Sequence, residues 1–173
     1  AHESGTARCA EAAAGLLEAV VVNVQGDEPD FEPGDLAVVA EAAADPAHDM
    51  ATLAHPVGDV VDASRPSVVK VVVDGAGRAL YFSRAPIPFD RDRGGLAASA
   101  LAHVGIYGFR RERLAAYVRL PAGRLAALES LEQLRALEAG WRIAVRPATR
   151  PALGIDTPED YTNFVGRARR AGL

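Results

Sequence analysis

Short apolar runs alternate with helix-like segments along the chain, and many of these runs are rich in β-branched residues. The pattern predicts six strands, at residues 20–24, 50–57, 67–74, 78–83, 103–109 and 141–145. It predicts helices at residues 6–18, 33–44 and 110–118, from residue 125 to Gly140, and from Thr157 onward. This order of elements predicts one α/β domain over residues 1–173. A glycine-rich turn at residues 74–77 predicts a hairpin, so the sheet is expected to be mixed.

The first apolar run, Val20–Val24, ends abruptly in polar residues. Its residues are nearly all β-branched, which favours a strand buried on both faces, as in a parallel sheet. Gly26 permits a sharp turn, and Asp27 and Glu28 follow the carboxyl end of the strand. Ligands of open α/β sheets bind at that edge. We therefore predict a site for a metal or a phosphate there.

Leucines recur at every third position from Leu125 to Leu137. This spacing predicts a single amphipathic helix that Gly140 ends. Glu132 and Gln133 lie on this helix. Polar residues of that kind ordinarily form the solvated face of a helix, so a ligand-binding role is the second interpretation.

Composition narrows the classes of function. The apolar fraction of 49% and the charged fraction of 24% are those of a soluble globular protein. A net charge of −4 argues against general nucleic-acid binding. No apolar run approaches the roughly 20 residues that span a bilayer, so no membrane interaction is expected. Cys9 is the single cysteine and no signal peptide is visible at the start, so we expect a cytoplasmic protein.

Two aspartates stand in similar positions, each just beyond a short apolar segment and close to a helix entry. They are Asp27 and Asp156. Two carboxylates, completed by water and by substrate phosphates, are the usual ligands of Mg²⁺ in phosphate-handling enzymes. For Asp156, stabilisation of the following helix N-terminus is an equal alternative, since Thr157 is the predicted cap and Pro158 the first helical residue.

Basic and aromatic residues add two further candidates. Arg84 and Arg91 flank a proline-rich loop, where they suit an anionic sugar or a phosphate, although solvated surface charge is the commoner role. His103, Gly105 and Tyr107 alternate along one face of a strand, and the glycine leaves room for a ligand beside the ring. A purely structural role for His103 is the alternative.

Eight short strings follow one another over nearly the whole chain. They are Ser4-Gly5-Thr6-x-Arg8, Val22-Asn23-Val24-Gln25-Gly26-Asp27-Glu28-Pro29, Met50-Ala51-Thr52-Leu53-Ala54, Val69-Lys70-Val71-Val72, Ala79-Leu80-Tyr81-Phe82-Ser83-Arg84-Ala85-x-Ile87-Pro88-x-Asp90-Arg91-Asp92-Arg93, Gly105-Ile106-Tyr107-Gly108, Leu131-Glu132-Gln133-Leu134-Arg135 and Gly154-x-Asp156-Thr157-Pro158-Glu159-Asp160. Together and in this order, they resemble the CMP-Kdo synthetases, which are 3-deoxy-manno-octulosonate cytidylyltransferases.

The resemblance implies a Rossmann-like α/β fold of the sugar-nucleotidyltransferase type, with a mixed sheet flanked by helices. It implies transfer of CMP from CTP to 3-deoxy-D-manno-octulosonate (Kdo), release of pyrophosphate, a role in lipopolysaccharide biosynthesis and a homodimer. By the same resemblance, Asp27 and Asp156 hold Mg²⁺ and are the catalytic pair. The residues implied to face the sugar acid are Gln25, Arg84, Arg91, His103, Tyr107, Glu132 and Gln133, and those implied to lie near the cytosine are Ser4, Gly5 and Thr6.

The resemblance has one clear gap. The family opens with a strand and an arginine-lysine turn that grips the triphosphate, and no part of this sequence matches that βα segment. We therefore expect an N-terminally truncated domain that has little or no activity alone. Two other functions stay open: another CMP-sugar-acid synthetase, such as a sialate cytidylyltransferase, or an inactive module that serves dimerisation or binding.

Overall fold

A mixed sheet with helices packed against it forms the body of the molecule. The computed structural model describes residues 4–29, 31–58, 63–152, 154–155 and 157–170. Its elements are α1 (Gly5–Ala13), β1 (Val20–Val24), α2 (Pro33–Ala44), β2 (Met50–Pro56), β3 (Lys70–Val73), β4 (Ala79–Ser83), β5 (Phe89–Asp90), β6 (Gly95–Leu96), β7 (Leu101–Arg110), α3 (Arg111–Tyr117), α4 (Arg124–Glu129), α5 (Gln133–Glu138), β8 (Ile143–Pro147) and α6 (Pro158–Arg170). None of the described helices is long and apolar enough to cross a membrane.

The long strand β7 lies at the centre of the sheet. The strand order is β4-β3-β7-β2-β8, and β1 pairs with β7 as well. β7 is antiparallel to β1, β2 and β3, whereas β2 and β8 are parallel. The prediction of a mixed sheet is confirmed, as is the hairpin of β3 and β4.

The environment predicted for β1 is wrong. The strand is antiparallel to β7, and Asn23 is the only one of its five residues that is buried. β-branched residues favour any pleated, partly buried surface, so their presence predicts a strand and not the direction of its neighbours. The polar segment at residues 25–28 nevertheless follows the carboxyl end of β1, as predicted.

Two apolar layers cover the two faces of the sheet. Phe82, Phe109 and Leu134 belong to the layer beneath α3 and α5, and Val104 and Ile106 belong to the layer beneath α2. Neighbouring residues of β7 thus contribute to opposite layers, as expected for a strand. The strand is fixed from both sides, and so are the residues that it carries.

The leucine-rich segment forms two helices instead of the single helix that we predicted. Ser130 separates α4 from α5 with left-handed backbone angles of φ 52° and ψ 49°. Leucines at every third position rotate by about 60° per step around an α-helix of 3.6 residues per turn, so one straight helix cannot bury them all. Leu128 is 72% exposed, whereas Leu134 after the break is fully buried.

Side-chain hydrogen bonds cap the starts of α1 and α6, and the cap at Thr157 is as the sequence predicts. The Ser4 hydroxyl accepts from the Ala7 N–H and caps α1 at 3.2 Å. Thr157 and Asp160 form a reciprocal capping box at the start of α6. The Asp160 carboxylate accepts from the Thr157 N–H at 3.0 Å, and the Thr157 hydroxyl accepts from the Asp160 N–H at 3.1 Å. Helix α1 ends at Ala13, five residues before the predicted end.

Candidate active site

A polar cleft of about 450 Å³ opens beside β7, between the segment that follows β1 and the beginnings of α1 and α5. The predicted site residues that line it are Ser4, Gly5, Gln25, Asp27, Arg84, His103, Tyr107, Glu132 and Gln133. These residues come from five separate parts of the chain. The fold therefore collects in one place most of the residues that the sequence singled out.

The Glu132 carboxylate is held by several donors from the other side of the cleft. Its Oε1 accepts from the Thr6 hydroxyl at 2.7 Å and from Gln25 Nε2 at 3.0 Å. The Thr6 hydroxyl in turn accepts from Asn23 Nδ2 at 3.1 Å. Since charge-assisted hydrogen bonds are the stronger ones, this arrangement fixes a negative charge at the edge of the cleft.

Gln133 is buried, and only half of its amide is satisfied by protein. Its Oε1 accepts from the Tyr107 hydroxyl at 3.1 Å, but its Nε2 has no hydrogen-bond partner in the part of the chain that the structure describes. Burial, and then the Glu132 carboxylate, raise the pKa of Tyr107 well above 10, so the phenol keeps its proton and donates. A buried donor without an acceptor is costly, and in a cleft it suits a ligand oxygen.

His103 lies beside Tyr107 and is neutral. The two rings stack with centroids 5.5 Å apart, and burial lowers the pKa of His103 to about 3. Its Nε2 lies 3.0 Å from the Thr52 hydroxyl oxygen, which is itself 2.8 Å from the Ile106 carbonyl oxygen. Because Thr52 has one hydroxyl hydrogen and donates it to a carbonyl, we infer that His103 Nε2–H donates to Thr52 and that Nδ1 is the acceptor.

Arg84 has a structural role at the wall of the cleft. Its guanidinium donates to the backbone carbonyls of Pro66, Glu129 and Ser130 at 2.7 to 3.2 Å. Burial alone would raise the pKa of the Glu129 carboxyl, but hydrogen bonds from Ser83 and from the Arg84 N–H hold it below its ordinary value. The arginine and Glu129 together fasten the end of α4 to the end of β4.

The acidic segment after β1 meets the segment before α6. Asp27 is exposed and lines the cleft, and its carbonyl oxygen accepts from the Ile155 N–H at 2.8 Å. Asp156 lies outside the described residues, so the aspartate pair stays a prediction. Among the described residues, no group of three or more His, Cys, Asp and Glu side chains could hold a metal ion. A magnesium site with one or two protein carboxylates needs no such group.

Several known proteins are similar in sequence to this chain. A family model described as cytidylyltransferase matches residues 1–143. The 3-deoxy-manno-octulosonate cytidylyltransferase of Syntrophobacter fumaroxidans is 50% identical over 169 residues, which cover 95% of this chain and 67% of that protein. The enzyme of the same name from Solibacter usitatus is 48% identical over 173 residues, covering 99% and 68%. The chain belongs to the 3-deoxy-manno-octulosonate cytidylyltransferase family.

Solved structures agree with this family. A CMP:2-keto-3-deoxy-manno-octonic acid synthetase complexed with CTP has a TM-score of 0.86 at 38% identity, covering 98% of this chain and 70% of that one. An inositol-1-phosphate CTP transferase from T. maritima has a TM-score of 0.61 at 13% identity, which shows the fold alone. The prediction of a nucleotidyltransferase-like fold is confirmed. The chain spans about two thirds of the length of these relatives.

Two residues assigned by resemblance to this cytidylyltransferase family do not line the cleft. Arg91 lies in the exposed turn between β5 and β6. Thr6 is 1% exposed and lies behind Glu132. A contact of either residue with a substrate stays a prediction.

The sequence does not point to several other polar residues that line the cleft. They are His55, Arg65, Ser67, Asp160, Asn163 and Arg167. Glu28, which the sequence places beside Asp27 at the predicted metal or phosphate site, lines the cleft too. Glu28 accepts from the Gly105 N–H at 2.9 Å and so joins the acidic segment to β7. Asp160, Asn163 and Arg167 are spaced by three and four residues along α6, a helical periodicity that could have placed them on one face.

Proposed function

We propose that this cleft binds the sugar acid in a reaction that transfers CMP from CTP to Kdo and releases pyrophosphate, as a step of lipopolysaccharide biosynthesis. The observation that carries the proposal is the pair at the start of α5. Gln133 offers a buried amide donor, and the adjacent Glu132 offers a fixed carboxylate acceptor. A polyhydroxylated acid presents both hydroxyl donors and oxygen acceptors, so it can pair with both groups at once.

The remaining residues of the cleft support binding and orientation. Neutral His103 offers a ring nitrogen as acceptor and adds no positive charge, and Tyr107 keeps Gln133 in place. In the transfer, the anomeric hydroxyl oxygen bonds to the α-phosphorus, and the bond from that phosphorus to the oxygen bridging the α- and β-phosphates breaks. Pyrophosphate leaves with that oxygen and the electron pair of the broken bond, and the hydroxyl proton passes to water. Because the cleft would hold the sugar acid in one orientation, the reaction between bound sugar acid and bound CTP would become effectively unimolecular.

We propose Mg²⁺ as the metal of this site, with Asp27 and Asp156 as its protein ligands. The chemistry of the donors fits, because an exposed carboxylate at the cleft matches the preference of Mg²⁺ for oxygen ligands, waters and phosphates. The hydrogen bond from Ile155 to the Asp27 carbonyl supports the pairing, since Ile155 directly precedes Asp156. When bound, the ion would neutralise charge on the triphosphate.

We also propose that the protein forms a homodimer and that it is located in the cytoplasm.

The test is pyrophosphate release by the protein as its gene encodes it, with CTP and either Kdo or a sialic acid. We expect release with Kdo and little with the sialic acid. The Gln133→Leu variant should raise KM for Kdo by about tenfold or more and leave KM for CTP near the wild-type value, because one donor to the sugar is lost. Release with the sialic acid alone, or with neither sugar, would contradict the proposal.

The control is Tyr161→Phe, at a residue that is 59% exposed on α6 and does not line the cleft. This variant should keep both KM values. A rise in KM for Kdo in the control as large as that of Gln133→Leu would mean that the effect is not specific to the cleft.

A further inference from the structure

We propose that Thr6 is a positioning residue for the sugar acid, which acts by orienting the Glu132 carboxylate and makes no contact with the nucleotide. The inference rests on the function proposed above. It differs from the role near the cytosine that the resemblance implies for Thr6. Of the three residues at the start of α1, it leaves Ser4 and Gly5 as those that line the cleft.

The directions of the hydrogen bonds at Thr6 follow from its partners. Asn23 Nδ2 can only donate, so the Thr6 oxygen accepts from it at 3.1 Å. The single hydroxyl hydrogen of Thr6 is then free to point at Glu132 Oε1, which lies 2.7 Å away and can only accept when ionised. Thr6 and Asn23 are 1% and 8% exposed, so water competes little for these bonds.

The arrangement also fixes which part of Glu132 remains for a ligand. Oε1 already accepts from both the Thr6 hydroxyl and Gln25, whereas Oε2 accepts a longer bond of 3.4 Å from the Thr6 N–H and has room for a ligand donor. The Tyr117 hydroxyl holds the Glu132 backbone carbonyl at 2.8 Å, so the residue is anchored at both ends. A glutamate that is already ordered loses less side-chain entropy when a sugar hydroxyl binds, and affinity is higher for that reason.

The same pair of strands orients both polar residues of α5. Asn23 of β1 stands directly opposite Tyr107 of β7 in the antiparallel ladder. Asn23 orients Glu132 through Thr6, and Tyr107 binds Gln133 directly. One cross-strand pair therefore sets the geometry of the two residues that we assign to the sugar acid.

The experiment compares Thr6→Val, which keeps the shape and loses the hydroxyl, with Thr6→Ser, which keeps the hydroxyl. Steady-state kinetics with CTP and Kdo should show about a tenfold or larger rise in KM for Kdo in Thr6→Val, with KM for CTP unchanged. Thr6→Ser should lie near the wild type. A merely structural role would lower the free energy of unfolding of Thr6→Val and would not separate the two substrates.

A double-mutant cycle shows whether Thr6 acts through Glu132. In the Glu132→Gln background, Thr6→Val should change KM for Kdo by less than about twofold, because the bond is already weakened. If Thr6→Val does not fold, as judged by thermal unfolding, the nearly isosteric and uncharged Asn23→Leu is the second variant. It removes the donor to Thr6 and should likewise raise KM for Kdo alone.

Three outcomes would overturn the inference while the proposed function stands. In the first, the wild type is active and Thr6→Val leaves KM for Kdo unchanged. In the second, Thr6→Val raises KM for CTP instead of KM for Kdo. In the third, the effects of Thr6→Val and Glu132→Gln on KM for Kdo multiply in full in the double variant. A wild-type protein that releases no pyrophosphate with CTP and Kdo would overturn the proposed function itself, and this inference with it.

Discussion

The hydroxyl of Tyr107 donates a hydrogen bond of 3.1 Å to the side-chain oxygen of Gln133. Both residues are buried, at 4% and 1% exposure, and they connect the central strand to the first turn of α5. The bond satisfies the oxygen of the Gln133 amide and so determines which end of that amide remains for a ligand. The orientation of this part of the site thus depends on a single hydroxyl group.

Replacing that hydroxyl should cost both stability and affinity. Tyr107→Phe leaves the Gln133 oxygen buried without its donor, so we expect the free energy of unfolding to fall by about 1–3 kcal/mol. KM for Kdo should rise as well, because the amide is free to turn. Urea unfolding and steady-state kinetics measure the two effects. The exposed Tyr161→Phe is the control, and equal losses in both variants would contradict this account.

Burial of His103 predicts a specific dependence of stability on pH. Its pKa is lowered from 6.5 to about 3 in the folded protein. Between these values the unfolded chain binds a proton that the folded protein does not, so stability falls as pH is lowered through this window. His103→Gln lacks this proton uptake. The stability of the wild type relative to that variant should therefore shrink below pH 6.5.

The measurement is urea unfolding of both proteins at several pH values on either side of the unfolded pKa. Carboxylates contribute to acid sensitivity in both proteins and cancel in the difference. A difference in stability that is the same at every pH would show that His103 is not held neutral by burial.

Two glycines predict opposite results for the same substitution. A Cβ at Gly5 would lie 2.6 Å from the end of the flexible Gln25 side chain, whereas at Gly108 it would lie 2.6 Å from Val39 Cγ1 and 2.8 Å from the Val39 carbonyl oxygen. Gly5→Ala should thus leave stability nearly unchanged and raise KM for Kdo, since Gln25 is pushed away from Glu132. Gly108→Ala should lower the free energy of unfolding by about 1–3 kcal/mol.

The control for both is Gly15→Ala, because nothing lies within 4 Å of a Cβ at that position. Its free energy of unfolding should stay within about 0.5 kcal/mol of the wild type. If Gly5→Ala destabilised the protein as much as Gly108→Ala, Gln25 would be far more rigidly held than its contacts indicate.

If Asp27 binds Mg²⁺, its substitution should lower activity and Mg²⁺ affinity without lowering the stability of the fold. Asp27→Asn should lower kcat by about 100-fold or more, because a carboxylate ligand of Mg²⁺ contributes several kcal/mol to charge stabilisation. Calorimetric titration with Mg²⁺ should show weaker binding in the variant, and thermal unfolding should be little changed because Asp27 is exposed. Glu18→Gln is a matched control at an exposed acid outside the cleft. Wild-type magnesium affinity in Asp27→Asn would remove Asp27 from the metal site.

Local signals in the sequence were enough for most elements of the fold. The β-branched run at Val20–Val24 and the capping sequence at Thr157–Asp160 each involve neighbouring residues, and both predictions are confirmed. Alternation along the strand predicts that His103 and Tyr107 share one face, and their rings stack in the structure. Such features depend on intrinsic preferences that act over a few residues.

The rest depends on partners that are distant in sequence. Thr6 and Glu132 are 126 positions apart, and no local pattern relates them. The break at Ser130 and the burial of Gln133 follow from packing of α5 against the sheet, which overrides the repeat of the leucines. The antiparallel direction of β1 is likewise determined by tertiary packing, because its β-branched residues suit a parallel and an antiparallel neighbour equally well.

Strand β7 carries His103, Gly105 and Tyr107 and is hydrogen-bonded to β1, β2 and β3. Backbone amides in a strand of this kind exchange with solvent mainly when the whole domain opens. Substitutions that only lower global stability therefore change the fraction of molecules that possess the site and leave the site itself unaltered in the folded ones. For such variants, kcat measured per folded molecule should equal that of the wild type, while the apparent enzyme concentration falls.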